Sequence, residues 1–278
     1  MLMTSPSLAQ SLPAFVRAEG GVRLAIGPTA RGSRALSVAE SSGYRVRFPR
    51  SDGACEGVLI NTGGGLAGGD GMRIEAVLGI GAEAVLTTQA AEKIYRSDGP
   101  DTRVAIALTL GEGSHLDWLP QEQILFDGAR LDRRLDVAMA RDASLLLVES
   151  TVFGRHASGE VVRSGAFRDR WRVRRGGRLA FAEEVRLDGD MRAALDRPAL
   201  GGGAATVATL LLVTPDAERR LEPLRAVLAG ASCEAGASAY DGMLVARLLG
   251  ADAAALRADL ARLIRHLTGR PLPRSWQA

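Results

Sequence analysis

Apolar residues along this chain fall in short runs, many alternating with polar ones, and glycines punctuate the gaps. Over 103–110 the alternation is clean: Val104, Ile106, Leu108 and Leu110 share one face, the period of two expected of a strand with one side buried. Comparable runs predict strands at 44–48, 57–60, 72–78, 84–88, 115–119, 131–139 and 144–149. Others follow at 160–174, 179–187, 206–213 and 243–248. Almost no helical period separates them, which argues for a mainly β body of many short strands and against βαβ units. No fixed repeat period is visible, so nothing points to a regular solenoid with a sequence code.

The last third of the chain changes period. Leu256, Leu260, Leu263, Ile264 and Leu267 are spaced for an amphipathic helix over 251–267, with Asp252 as N-cap and Gly269 and Pro271 as the stop. A shorter helix is expected to start with Thr214 as its cap and Pro215 at its first position, and Pro223 should kink or restart it. No Pro/Ser-rich linker interrupts the chain. Residues 1–278 are therefore expected to form one unit, a β body over about 20–213 and a helical and strand part over about 214–278.

Composition narrows the function classes. At 278 residues the chain can bury a core without a metal or disulfide staple. Glycine is abundant, 33 residues, as many tight turns require. Lys plus Arg number 35 against 32 acidic residues, and Lys93 is the only lysine, so a formal charge of +3 does not by itself indicate nucleic acid. Cys55 and Cys233 stand far apart, which excludes a disulfide scaffold and a cysteine-ligated zinc ribbon. The N-terminus lacks the apolar segment of a signal peptide. The longest nearly apolar run, 204–213, falls short of the ~20 residues that cross a bilayer. A soluble, cytoplasmic protein is expected.

Several segments imitate known chemistry. Gly63, Gly65 and Gly68 form a literal GxGxxG after a predicted strand, yet an alternating strand follows where a dinucleotide site needs a helix. A nucleotide-binding enzyme using the Gly63–Gly68 loop remains the alternative reading. The lone lysine does not complete a Gly-Lys-Ser/Thr phosphate loop, and no HExxH or GxSxG occurs. His115, His156 and His266 are scattered, and His266 suits the negative end of its helix. In Arg168-Asp-Arg-Trp-Arg-Val-Arg174 alternation puts four arginines on one face and Phe167, Trp171 and Val173 on the other. Such a stripe is either a solvated outer face or a contact for phosphates or an acidic protein surface.

Four segments in order carry a resemblance: Asn61-Thr-Gly-Gly-Gly-Leu-Ala-Gly-Gly-Asp70, Thr87-Thr-Gln-Ala-Ala-Glu-Lys-Ile-Tyr-Arg-Ser97, Trp118-Leu-Pro-Gln-Glu-Gln-Ile-Leu-Phe-Asp-Gly128 and Glu149-Ser-Thr-Val-Phe-Gly-Arg-His-Ala-Ser-Gly-Glu160. Over nearly its whole length the chain resembles the urease accessory protein UreD (UreH) family. Ser150, Thr151, His156 and Ser158 stand where relatives often carry other small or apolar residues, and His156 is not read as a nickel ligand. The resemblance implies an irregular β-helix-like body with helices toward the C-terminus. It implies a non-enzymatic maturation factor that binds apo-urease and the accessory proteins UreF and UreG, and it allows a dimer within the accessory complex. No nucleic acid, membrane or tightly bound cofactor is implied. Nickel would pass transiently through an internal passage.

A passage must hold nickel weakly, so carboxylates, hydroxyls and amides suit it better than clustered His and Cys. Within the matching segments the nickel-path candidates are Asp70, Glu122, Asp127, Glu149 and Glu160. Thr87, Thr88, Gln89, Lys93, Tyr95 and Arg155 are candidates for passage or partner contacts. Plain structural roles compete with each. Asp70 and Asp127 precede glycines, as turn residues do, and Glu149 or Glu160 could pair with Arg155. The apolar helix face packs either on the β body or against UreF, and Trp276 in the tail could anchor a partner.

Overall fold

The computed structural model describes residues 17–50, 53–155 and 158–277. β1 (Glu19–Thr29) and β2 (Gly32–Glu40) pair as a hairpin at one edge of a first sheet, and β3 (Tyr44–Arg47) edges a second. From β4 (Cys55–Asn61) in the second sheet the chain alternates between the two. β5 (Gly71–Leu78) lies in the first sheet and β6 (Glu83–Thr88) in the second. β7 (Glu92–Ile94) is a short corner strand before β8 (Thr102–Leu110) and β9 (His115–Leu119) repeat the step. β10 (Gln123–Leu125) is a second corner strand before β11 (Arg130–Met139) and β12 (Ser144–Phe153) repeat it again.

Neighbouring strands of these coils run parallel. Parallel pairing normally needs a helical crossover; here each return travels through the opposite sheet. The result is a stack of β coils with a core between two walls, the mainly β architecture that the alternating runs predict. Partners Gly71, Arg103, Asp132 and Arg168 advance by 32, 29 and 36 residues along the first sheet. Cys55, Ala84, Leu116 and Leu145 advance by 29, 32 and 29 along the second. Coils of unequal length explain why a solenoid is present without a visible repeat.

β13 (Ser164–Arg175) adds a parallel strand to the first sheet, and β14 (Arg178–Asp190) closes that edge antiparallel. After α1 (Met191–Asp196), β15 (Thr206–Val213) joins β12 antiparallel. A 3-10 turn (Ala217–Arg220) and α2 (Leu221–Leu228) precede β16 (Glu234–Tyr240) and β17 (Met243–Gly250), which widen the second sheet, and α3 (Ala253–Thr268) follows. Thr214 is not a helix cap: its hydroxyl donates to Asp216 (2.8 Å) in the turn ahead of α2. Pro223 sits in the first turn of α2, where its missing N–H costs nothing.

α3 matches its sequence pattern. Asp252 accepts from the Ala254 and Ala255 amides (2.8 and 3.4 Å), and Gly269 ends the helix at φ 63°. Its five apolar residues are buried with Leu146, Val148, Leu210 and Leu248 of the second sheet, so this face is taken up by the protein's own body. Trp276 is likewise buried, its indole donating to the Leu119 carbonyl (2.9 Å). The tail is therefore docked and is not a free aromatic anchor. β12 is covered on both sides, Leu145 and Leu147 facing the inter-sheet core and Leu146 and Val148 the helices, which explains its unbroken apolar run.

Five strands lack a clear alternating signal. β1 is broken up by glycines, of which Gly21 is obligatory: a Cβ there would lie 1.7 Å from the Arg73 carbonyl oxygen. β2 and β16 are edge strands with mostly exposed or small residues, and β7 and β10 span three residues each. β13 begins at Ser164, later than 160, because Glu160 turns back to Arg155.

Candidate functional site

Between the sheets the packing opens into a cavity of about 180 Å³. Inward positions of the first sheet and β4 give it an apolar wall that includes Met72, Ile74, Val104, Ile106 and Leu59. Its polar lining includes Glu92 and Gln123 of the corner strands, Arg133 of β11 and Glu149 of β12, together with Tyr44, Arg45, Asn61 and Gln121. Exposed Gln89 and Lys93 line it too, beside Thr88, whose hydroxyl donates to the Ala90 carbonyl (3.0 Å) and accepts from the Gln121 amide (2.9 Å).

At the inner end lies a fully buried ionic network. Alternation of Leu131, Arg133 and Leu135 along β11 forces Arg133 inward. Its guanidinium forks onto Asp169 of β13 (2.9 and 2.5 Å) and donates its remaining arm to Glu149 of β12. The Trp118 indole donates to Glu149 (2.8 Å) and the Trp171 indole to Asp169 (3.1 Å). Burial opposes the Arg133 charge, but the two carboxylates outweigh it and hold its pKa up. Burial pushes the Glu149 carboxyl above its ordinary range, while Arg133 and Trp118 pull it back. Two acids share one base, and each is tied to an indole as well.

Nearer the exposed residues stands Glu92, pushed up from 4.5 to about 7 by burial, with only the Asn61 amide (2.9 Å) opposing the shift. Tyr44 beside it is raised far above its ordinary value by burial, then by Glu92 and Asp70. Gln123 is in register with Glu92, and its buried Nε2 has no hydrogen-bond partner. Asn61 also organises the glycine loop, accepting from the Gly63 amide (2.9 Å) and donating to the Gly65 carbonyl (3.3 Å). Gly65 passes beneath Tyr95, where a Cβ would lie 2.5 Å from the ring, and the Tyr95 hydroxyl donates to the Gly64 carbonyl (2.9 Å). The loop then enters β5 and opens no helix, so it lacks the amide cradle of a nucleotide site.

The sequence candidates separate accordingly. Glu149, Thr88, Gln89 and Lys93 line the cavity. Asp70 holds a turn, accepting from the Ala18 and Ala67 amides (2.9 and 2.7 Å). Thr87 is buried against the Leu119 carbonyl (2.6 Å). Asp127 accepts from the Ser164 and Arg163 amides (2.9 and 2.8 Å), which hold its carboxyl below the usual range. Glu160 is bound by Arg155 (3.0 Å), which lies over the Phe126 ring, and Glu122 is paired with Arg257 of α3 (3.0 Å). His156 lies outside the described residues. Sequence reasoning missed Arg133, Asp169, Glu92, Asn61 and Gln123. For Arg133 and Asp169 a signal existed, since strand alternation places both among inward apolar residues.

Among the described residues no group of three or more His, Cys, Asp and Glu side chains could hold a metal ion, and no helix is long and apolar enough to cross a membrane. The sequence model of a family described as UreD urease accessory protein matches residues 18–277. A urease accessory protein UreD from Methylobacterium sp. (strain 4-46) is 53% identical over 274 residues, covering 96% of this chain and 97% of that protein. Urease accessory protein UreD 1 of Methylobacterium radiotolerans is 50% identical over 279 residues, with 99% and 97% covered. The UreD of Azorhizobium caulinodans is 49% identical over 265 residues, with 95% and 98% covered.

Proposed function

Because the chain belongs to the UreD family of urease accessory proteins, with a role in urease maturation, we propose that it is a non-catalytic factor that binds apo-urease, UreF and UreG and helps nickel reach the urease centre through the cavity between its sheets. Nickel is cargo here, not a resident cofactor. The observation that carries the reading is one chamber faced by Glu92, Glu149 and the unpartnered Gln123 amide.

Oxygen donors hold nickel less firmly than imidazole or thiolate, so an ion can move on. Burial raises the Glu92 pKa from 4.5 to about 7, so its carboxyl is far more readily protonated near neutral pH than an exposed one. An arriving dication displaces that proton and gains a charged ligand. Deeper in, Glu149 offers a carboxylate whose other contacts are Arg133 and the Trp118 indole, an oxygen donor without a closed cage. The glycine loop shapes this chamber through Asn61.

Reconstitution tests the reading. Apo-urease, nickel, bicarbonate, GTP, UreF and UreG are combined with and without this chain, and equal urease activation in both would end the proposal. Glu92→Gln and Glu149→Gln chains that still assemble test the route separately: slower nickel incorporation is expected, and unchanged incorporation removes the cavity from the mechanism.

A further inference from the structure

The outer face of the first sheet carries a feature that the maturation reading leaves unused. β13 turns Phe167, Asp169, Trp171 and Val173 inward, so Arg168, Arg170, Arg172 and Arg174 stand outside in a row. Pairing extends the row across strands: Arg134 lies directly beside Arg170, and Arg186 directly opposite Arg168. Like charges set side by side destabilise a sheet, yet both pairs are kept where a threonine would suit the pleat. Some charge is met within the chain, since Asp132 pairs with Arg170 at 2.5 Å and Glu184 stands 3.9 Å from Arg168. Among the described residues Arg172 and Arg174 enter no ion pair. Arg172 lies beside Asp136 and opposite Ala182, and Arg174 lies beside Ala138 and opposite Leu179, so Arg174 has no acidic cross-strand neighbour.

We propose that this face docks a net-acidic protein surface, presented by a component of the urease maturation assembly. The identity of the assembly rests on the maturation reading; the chemistry of the patch does not. Charge complementarity selects the occupant. Asp132, Asp136 and Glu184 are interleaved with the arginines on the same face, and a continuous line of phosphates would be repelled at each. Phe167 and Trp171 point into the core, so the strand offers no outward ring on which a base could stack. A protein surface of mixed sign places carboxylates on the guanidinium forks and leaves the aspartates clear.

The test compares the full wild-type chain with an Arg172→Glu/Arg174→Glu variant and an Arg172→Lys/Arg174→Lys variant. Each is titrated separately with apo-urease, UreF, UreG and a short DNA duplex, over salt from about 50 to about 300 mM. Wild-type affinity for one protein partner is expected to fall as salt rises. Charge reversal should weaken that partner about tenfold or more with an unchanged melting curve, and the lysine variant should retain most of the binding. The inference is overturned if charge reversal leaves every protein affinity at the wild-type value, or if the DNA duplex is the ligand lost. A wild-type chain that binds none of the three proteins sinks the maturation reading along with it, whereas protein binding that survives charge reversal sinks this inference alone.

Discussion

The two faces of the first sheet are built by the same strands and treat arginine in opposite ways. On the inside, Arg133 has both neighbouring carboxylates on it, each tied in turn to an indole. On the outside, arginines stand beside arginines, and among the described residues Arg172 and Arg174 have no ion-pair partner. Burial makes an unpaired charge prohibitive, whereas solvent screens an exposed one at little cost. The inner arginine is consequently fixed by stability as well as by any role in transport. The outer ones are free to be chosen for what they meet.

The sharpest way to break this contrast is Arg133→Ala. It strands two buried acids and should destabilise the fold by about 3–5 kcal/mol in denaturant unfolding. Next in size is Glu92→Gln, which reads the cavity as a titratable interior. Burial raises the folded-state pKa of Glu92 from 4.5 to about 7, so the folded chain holds this proton more tightly than the unfolded one. The stabilising contribution is complete below about pH 4.5 and is lost as pH rises through about 7, up to about 3 kcal/mol in all. In stability-against-pH curves the glutamine variant should lack that decline and exceed the wild type at pH 8. Smallest is Arg172→Ala/Arg174→Ala on the outer face, expected to shift stability by no more than about 0.5 kcal/mol. A large loss there would mean that the outer row is part of the fold after all.

Much of the wall construction is legible in the sequence, because a strand with one wet face advertises itself through alternation: Val104 to Leu110 and the β13 arginines lie where that period puts them. α3 is legible through its stripe, its aspartate cap and its glycine stop. The chamber is less so. Glu92 acquires its surroundings from the pairing of β7 with β10, two three-residue strands too short to carry a period. Asp127 and Glu160 look like ligands in the sequence and prove to be occupied by backbone amides and Arg155, contacts that depend on where loops return. Arg133 and Asp169 are within reach of the pattern, because a charge on an otherwise apolar strand face implies a buried partner.

Coil-upon-coil pairing also governs how this protein must be made. Most interior strands find their hydrogen-bond partner about thirty residues away, so the walls have high contact order and local hairpins cannot nucleate them. As the nascent chain emerges, each new coil adds to an open edge, and the first sheet stays unsealed until β14 arrives. A slow ascent through edge-exposed intermediates is an invitation to aggregate, and a companion protein present during synthesis would shorten that exposure.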